Sequence, residues 1–185
     1  MTERKKASNV YVEKATMNME NRKDSVWREV SESGEGIAME DYLSYRLGRL
    51  NTLVQRLTIR AYLEPAGLSQ PEWRVLSRIS RHDSIEMRQL TSASLMDKAA
   101  ISRAVALLLE RGLAERHTDP VHAKRRIVAI TPAGRKLMRS VLPRALKEQA
   151  RLLCLLNESE RVALDAALSK LTAALLQEDD LADTS

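Results

Sequence analysis

The sequence predicts a mainly α fold with a small β-hairpin wing: a winged helix-turn-helix joined to a helical dimerisation region. Three observations carry this expectation. Residues Leu90 to Gly134 read as two short helices, a break and a tight basic hairpin, with a new helix starting behind it. Long amphipathic stretches lie on either side of that unit. The positive charge is concentrated in the same body: residues 1–36 are neutral, the last nine carry four acids and no base, and 37–176 hold 23 basic against 14 acidic residues. A basic body suits a polyanionic partner, whose phosphates release counterions on binding.

Taken in order, residues 1–36 show no hydrophobic periodicity and end in SESGEG, so a flexible N-terminal extension is expected. From Met39, the residues Leu43, Leu47, Leu50, Val54, Leu57 and Ala61 recur at steps of four and three, which puts one apolar stripe on a helix that Pro65 and Gly67 end. Ser69 opens the next helix, with Glu72 three residues on as a capping box, and Trp73, Val75, Leu76 and Ile79 follow at core spacing. An extended piece near Ile85–Met87 leads to a brief helix over Arg88–Leu95. Asp97 caps a helix from Lys98 to Arg111, and Gly112 stops it. Leu113–Thr118 and Arg125–Thr131 are the expected strands, and Thr131-Pro132 starts a long helix that Pro143 should kink or divide. A last helix begins at Asn157-Glu-Ser-Glu160.

The faces of 39–63, 133–156 and 158–177 are more apolar than one small domain can cover, which favours a twofold homodimer over a larger internal core. The expected organisation is therefore an N-terminal extension (1–36), a helical dimerisation region (37–65 and 133–177), a winged helix-turn-helix DNA-binding domain (66–132) and an acidic tail (178–185).

Several classes are excluded. No run of about 18 apolar residues exists to span a membrane. No apolar run follows the charged N-terminus, so no secretory signal is expected. The single cysteine, Cys154, permits no internal disulfide and fits a cytoplasmic location. Its setting, RLLCLL, is that of a thiol packed in an apolar helix. His82, His117 and His122 lack further ligands at metal-binding spacing, so neither metal nor cofactor is expected. Without a glycine-rich phosphate loop or a nucleophile near a histidine motif, the chain does not read as an enzyme.

Within the 98–111 helix, Lys98, Ala99, Ala100, Ser102 and Arg103 occupy the first two turns, the end that enters the major groove in helix-turn-helix proteins. The alanines allow close approach, Ser102 can bond a base edge or phosphate, and Arg103 can fork onto guanine or grip phosphate. Taken alone, the helix would equally suit an ordinary amphipathic role. Lys124, Arg125 and Arg126 are consecutive in the hairpin, so alternation sends at least one outward, to the minor groove or to a solvated edge. Together the two features point to double-stranded DNA.

The stretches LMDKAAISRAVALLLERGLAERHTDP and ITPAGRKL, with GLSQPEWRVLSRI before them, resemble the signature of MarR-type transcriptional regulators over about 39–177. The resemblance implies a homodimer on a pseudo-palindromic operator, usually as a repressor. It also implies a small aromatic or heteroaromatic acid that binds between the dimerisation and DNA-binding parts and releases the DNA. The family commonly carries Asp-x-Arg at the wing tip; here His122 and Lys124 stand at those positions, which leaves Arg125 or Arg126 to make the minor-groove contact.

For the acid, Arg46, Arg49, Arg56 and Arg60 run along one side of the first helix, and guanidinium forks match carboxylates. Arg46 and Arg49 are the candidates, with Trp73 as a flat apolar wall; the alternatives are a solvated arginine stripe and a core tryptophan. The competing functional readings are an oxidant- or metal-responsive regulator of the same fold, and a winged-helix module that binds protein.

Overall fold

A computed structural model describes residues 25, 27–92, 96–118, 122 and 125–182. The described residues form two compact units, divided between Leu53 and Val54.

In the first unit a 3-10 turn, Met39–Asp41, precedes helix α1, Leu43–Val54. Trp27 ties the preceding segment to this turn. Its indole Nε1–H donates to the Asp41 carbonyl at 2.9 Å, and the Arg46 guanidinium stacks 4.5 Å from its ring centroid. Arg46 also lies 3.9 Å from the Asp41 carboxylate.

The second unit opens on a π-helical turn, Gln55–Ile59, followed by α2, Arg60–Leu63. The Arg60 N–H donates to the Gln55 carbonyl, a step of five instead of four. The wider turn adds a residue and rotates the face that follows. Along the apolar stripe Leu43, Leu47, Leu50, Leu57 and Ala61 are exposed on the single chain and Val54 is half-buried, while Thr58, Tyr62 and Leu63, off that stripe, are buried.

Helix α3, Gln70–His82, starts on the expected capping box. The Ser69 backbone N–H donates to the Glu72 carboxylate at 2.9 Å, and the Glu72 N–H donates to the Ser69 hydroxyl at 3.4 Å. Strand β1, Ser84–Glu86, leads to α4, Met87–Ser92, and then α5, Lys98–Glu110. Strands β2, Ala114–Thr118, and β3, Arg126–Ile130, form the wing. The sheet is three-stranded and antiparallel, in the order β1-β3-β2, with Ile85 opposite Val128 and Ala114 opposite Ile130. The extended piece foreseen at Ile85 is thus a third strand that covers the inner edge of the hairpin. Leu76, Ile79, Leu90, Ile101, Val105, Leu108 and Val128 are fully buried, so helices and sheet share one core.

Thr131 joins wing to helix. Its hydroxyl donates to the Gly112 carbonyl (2.7 Å) and accepts the Gly134 N–H (3.0 Å), capping α6, Pro132–Leu153. Helix α6 runs unbroken through Pro143 instead of dividing there. A proline costs one i→i−4 bond, here to the Arg139 carbonyl, and both residues are exposed, so water can take the freed acceptor. Cys154 caps the C-terminus of α6 in the turn before α7, Glu158–Ala182, and is exposed on the single chain, where a packed thiol was expected. Helix α7 continues past 177, where the sequence reading ended it. From Val162 onward all its described side chains are exposed, including Leu164, Leu168, Leu171 and Leu175.

Candidate DNA-binding surface

Helix α5 divides cleanly into two faces. Ile101, Ala104, Val105 and Leu108 are buried at core spacing, which leaves Lys98, Ala99, Ser102 and Arg103 on the exposed side. Ala100 is half-buried, and its N–H donates to the Asp97 carboxylate at 3.1 Å, the cap foreseen in the sequence. The open N-terminal turn therefore presents one cation, a short aliphatic surface, a hydroxyl and a guanidinium side by side.

The far end of the helix is anchored. Gly112 adopts φ +64°, and its N–H and that of Leu113 return to the Leu109 and Leu108 carbonyls, both at 2.9 Å. Arg111 reaches back across the unit, donating to the Gly67 carbonyl and the Glu72 carboxylate, each at 2.8 Å. Burial raises the pKa of Glu72, but the Ser69 hydrogen bonds and the Arg111 charge outweigh it and hold the carboxyl below its ordinary value. One buried carboxylate thus locks the start of α3 to the end of α5.

In the wing, His122, Arg125 and Arg126 are exposed, and the Arg125 N–H donates to the His122 carbonyl at 2.8 Å. Lys124 lies outside the described residues. Arg125 and Arg126 line a cleft of about 370 Å³ with Glu86, Met87 and Arg88. Arg88 was not singled out in the sequence. The available signal was its place at the start of the first helix of the helix-turn-helix, next to the strand that pairs with the wing.

The expected effector residues are divided. Arg46 and Arg49 belong to the first unit and Trp73 to the second, so neither unit by itself assembles the three. Arg46 engages Trp27 and Asp41, and Arg49 is half-buried. Trp73 is half-buried against the core, its ring edge-on to Tyr62 with centroids 5.8 Å apart.

This arrangement has relatives. The model of the MarR family matches residues 66–125. A transcriptional regulator, HosA of Escherichia coli O111:H-, is 32% identical over 95 residues, which span 51% of this chain and 70% of that protein. The chain belongs to the MarR family. It is a transcriptional regulator of that family, a class of DNA-binding proteins and not of enzymes. A probable transcriptional regulator from Pseudomonas aeruginosa superposes with a TM-score of 0.62 at 28% identity, covering 72% of this chain and 99% of that one. BpsR of Bordetella bronchiseptica, whose DNA binding is regulated by 6-hydroxynicotinic acid, shares the fold with a TM-score of 0.67 at 21% identity, over 73% and 96% of the two chains. The fold is mostly helical with a small antiparallel sheet, and no helix among the described residues is long and apolar enough to cross a membrane.

Proposed function

We propose that the protein is a repressor that binds a pseudo-palindromic operator as a homodimer and is released by a small aromatic or heteroaromatic acid. The exposed face of α5 carries this reading. Arg103 and Ser102 read base edges in the major groove, Lys98 holds phosphate, and Ala99 and Ala100 let the backbone approach. Arg125 and Arg126 supply the wing contact, with His122 beside them, Lys124 added on its place in the sequence, and Arg88 on the phosphate between groove and wing. The dimerisation region is taken to be 37–65 with 133–177. Its support is the row of exposed leucines along α7 and the end of α6, which a second copy would bury. The acid effector is carried over from BpsR, a shared fold, and suits a basic protein.

Operator affinity measured by fluorescence anisotropy tests the reading. Arg103→Ala should weaken specific binding by about 10- to 100-fold, since a good base contact is worth ~1–3 kcal/mol, while circular dichroism remains that of the parent. The parent's affinity should fall steeply with salt. Unchanged affinity in Arg103→Ala would remove α5 as the reading helix, and a flat salt dependence would favour a protein-binding module.

A further inference from the structure

The basic cleft beside the wing contains one acid. Arg88, Arg125 and Arg126 line it together with Glu86 and Met87. Arg88 comes from the first turn of α4, and Arg125 and Arg126 from the entry to β3. Glu86 ends β1, where pairing sets it opposite Ile127, the residue next to Arg126. Three arginines less one glutamate leave the lining at +2.

The acid and the arginines differ in their freedom. Arg88, Arg125 and Arg126 are exposed, and a long guanidinium side chain at a surface can reach out to a phosphate. Glu86 is half-buried on a paired strand, so its carboxylate stays with the cleft when the arginines move. A carboxylate that steadied a guanidinium would hold it in an ion pair. Among the described residues no ion pair joins Glu86 to any of the three. Its charge is therefore not cancelled by a fixed partner. Around a space of about 370 Å³ the lining charges lie close enough that salt, with a Debye length of ~8 Å at physiological strength, leaves much of their interaction unscreened.

We propose that Glu86 limits how tightly the wing holds DNA phosphate. The proposal rests on the reading that Arg88, Arg125 and Arg126 face DNA. A phosphate drawn to these guanidinium groups also enters the field of the Glu86 carboxylate, and the two anions repel. Phosphates are offered alike by every sequence, so the binding that Glu86 weakens is sequence-independent. On DNA without an operator, binding is nearly all electrostatic, and the effect of this one charge is read there most directly.

Fluorescence anisotropy of the full chain on a poly(dI-dC) duplex, over a series of salt concentrations, tests this. Glu86→Gln and Glu86→Ser remove the charge, Glu86→Asp keeps it, and thermal melts establish that each is folded. The expected result is affinity about two- to fivefold tighter without the charge, the scale of a screened charge pair, with a steeper salt dependence and parent affinity in Glu86→Asp. Unchanged affinity in the folded uncharged variants would overturn the proposal. Weaker affinity would overturn it too, and would make Glu86 a support for the arginines. Tightening in Glu86→Asp equal to that in Glu86→Gln would show that charge is not the cause. Arg88→Gln and Arg125→Gln/Arg126→Gln separate failure of the proposal from failure of the reading beneath it. If these weaken binding while Glu86→Gln does not tighten it, only the role of Glu86 falls. If they bind as the parent does, the cleft does not face DNA and both fall.

Discussion

Single residues hold this fold at points where space or charge leaves little choice. Gly134 sits where α6 passes the base of the wing. A Cβ there would press into the Leu113 carbonyl oxygen and lie 2.8 Å from Ile130 Cγ1. Neither neighbour is the free end of a flexible side chain, so Gly134→Ala should cost about 1–3 kcal/mol, as overpacking does. The expected outcome is a thermal midpoint lower by several degrees; an unchanged midpoint would mean that the junction can open at no cost. The Thr131 cap was legible as Thr131-Pro132, because cap chemistry is written in adjacent residues; the close approach at Gly134 was not. The Trp27–Asp41 bond was not, since its partners are 14 residues apart and nothing in the local pattern pairs them.

Among the elements, the α3–α5 lock gives the unit a built-in acid sensitivity. Glu72 has its carboxyl lowered in the folded state, so its stabilisation is complete above the ordinary carboxylate range and is lost as pH falls through the folded value. Urea unfolding from pH 7 to pH 3 should therefore show a steeper loss of stability in the parent than in Glu72→Gln. Parallel pH profiles would remove Glu72 as the responsible group. The helices and wing strands were readable from apolar spacing, capping residues and the Gly112 stop. Two features escaped that reading for a physical reason. The π turn at Gln55–Ile59 breaks the 3.6-residue period on which the stripe argument depends, so the burial of Thr58 and Tyr62, off that stripe, could not be read from it. The pairing of β1 to β3 is the second: the sequence showed an extended piece near Ile85–Met87, but three residues are too few for alternation to name its partner. The α5 surface was legible because buried and exposed positions alternate along one helix. The place of Arg88 beside Arg125 and Arg126 was not, because convergence of separate elements leaves no mark in a linear pattern.

At the scale of the whole molecule, the account joins DNA reading to assembly. A 25-residue helix whose leucines are exposed has little reason to persist alone in water. Leu171→Glu combined with Leu175→Glu should convert a dimer into a single chain in sedimentation equilibrium; a parent that sediments as a single chain would rule out the twofold arrangement. The central claim is that α5 and the wing, presented twice, read a two-part operator. Selection from a random-sequence duplex pool by the full chain tests it most directly. The account predicts enrichment of two inverted half-sites about one helical turn apart, roughly 34–36 Å, that disappears with Arg103→Ala. Enrichment of an unpaired half-site, or the same sequences recovered with Arg103→Ala, would contradict it.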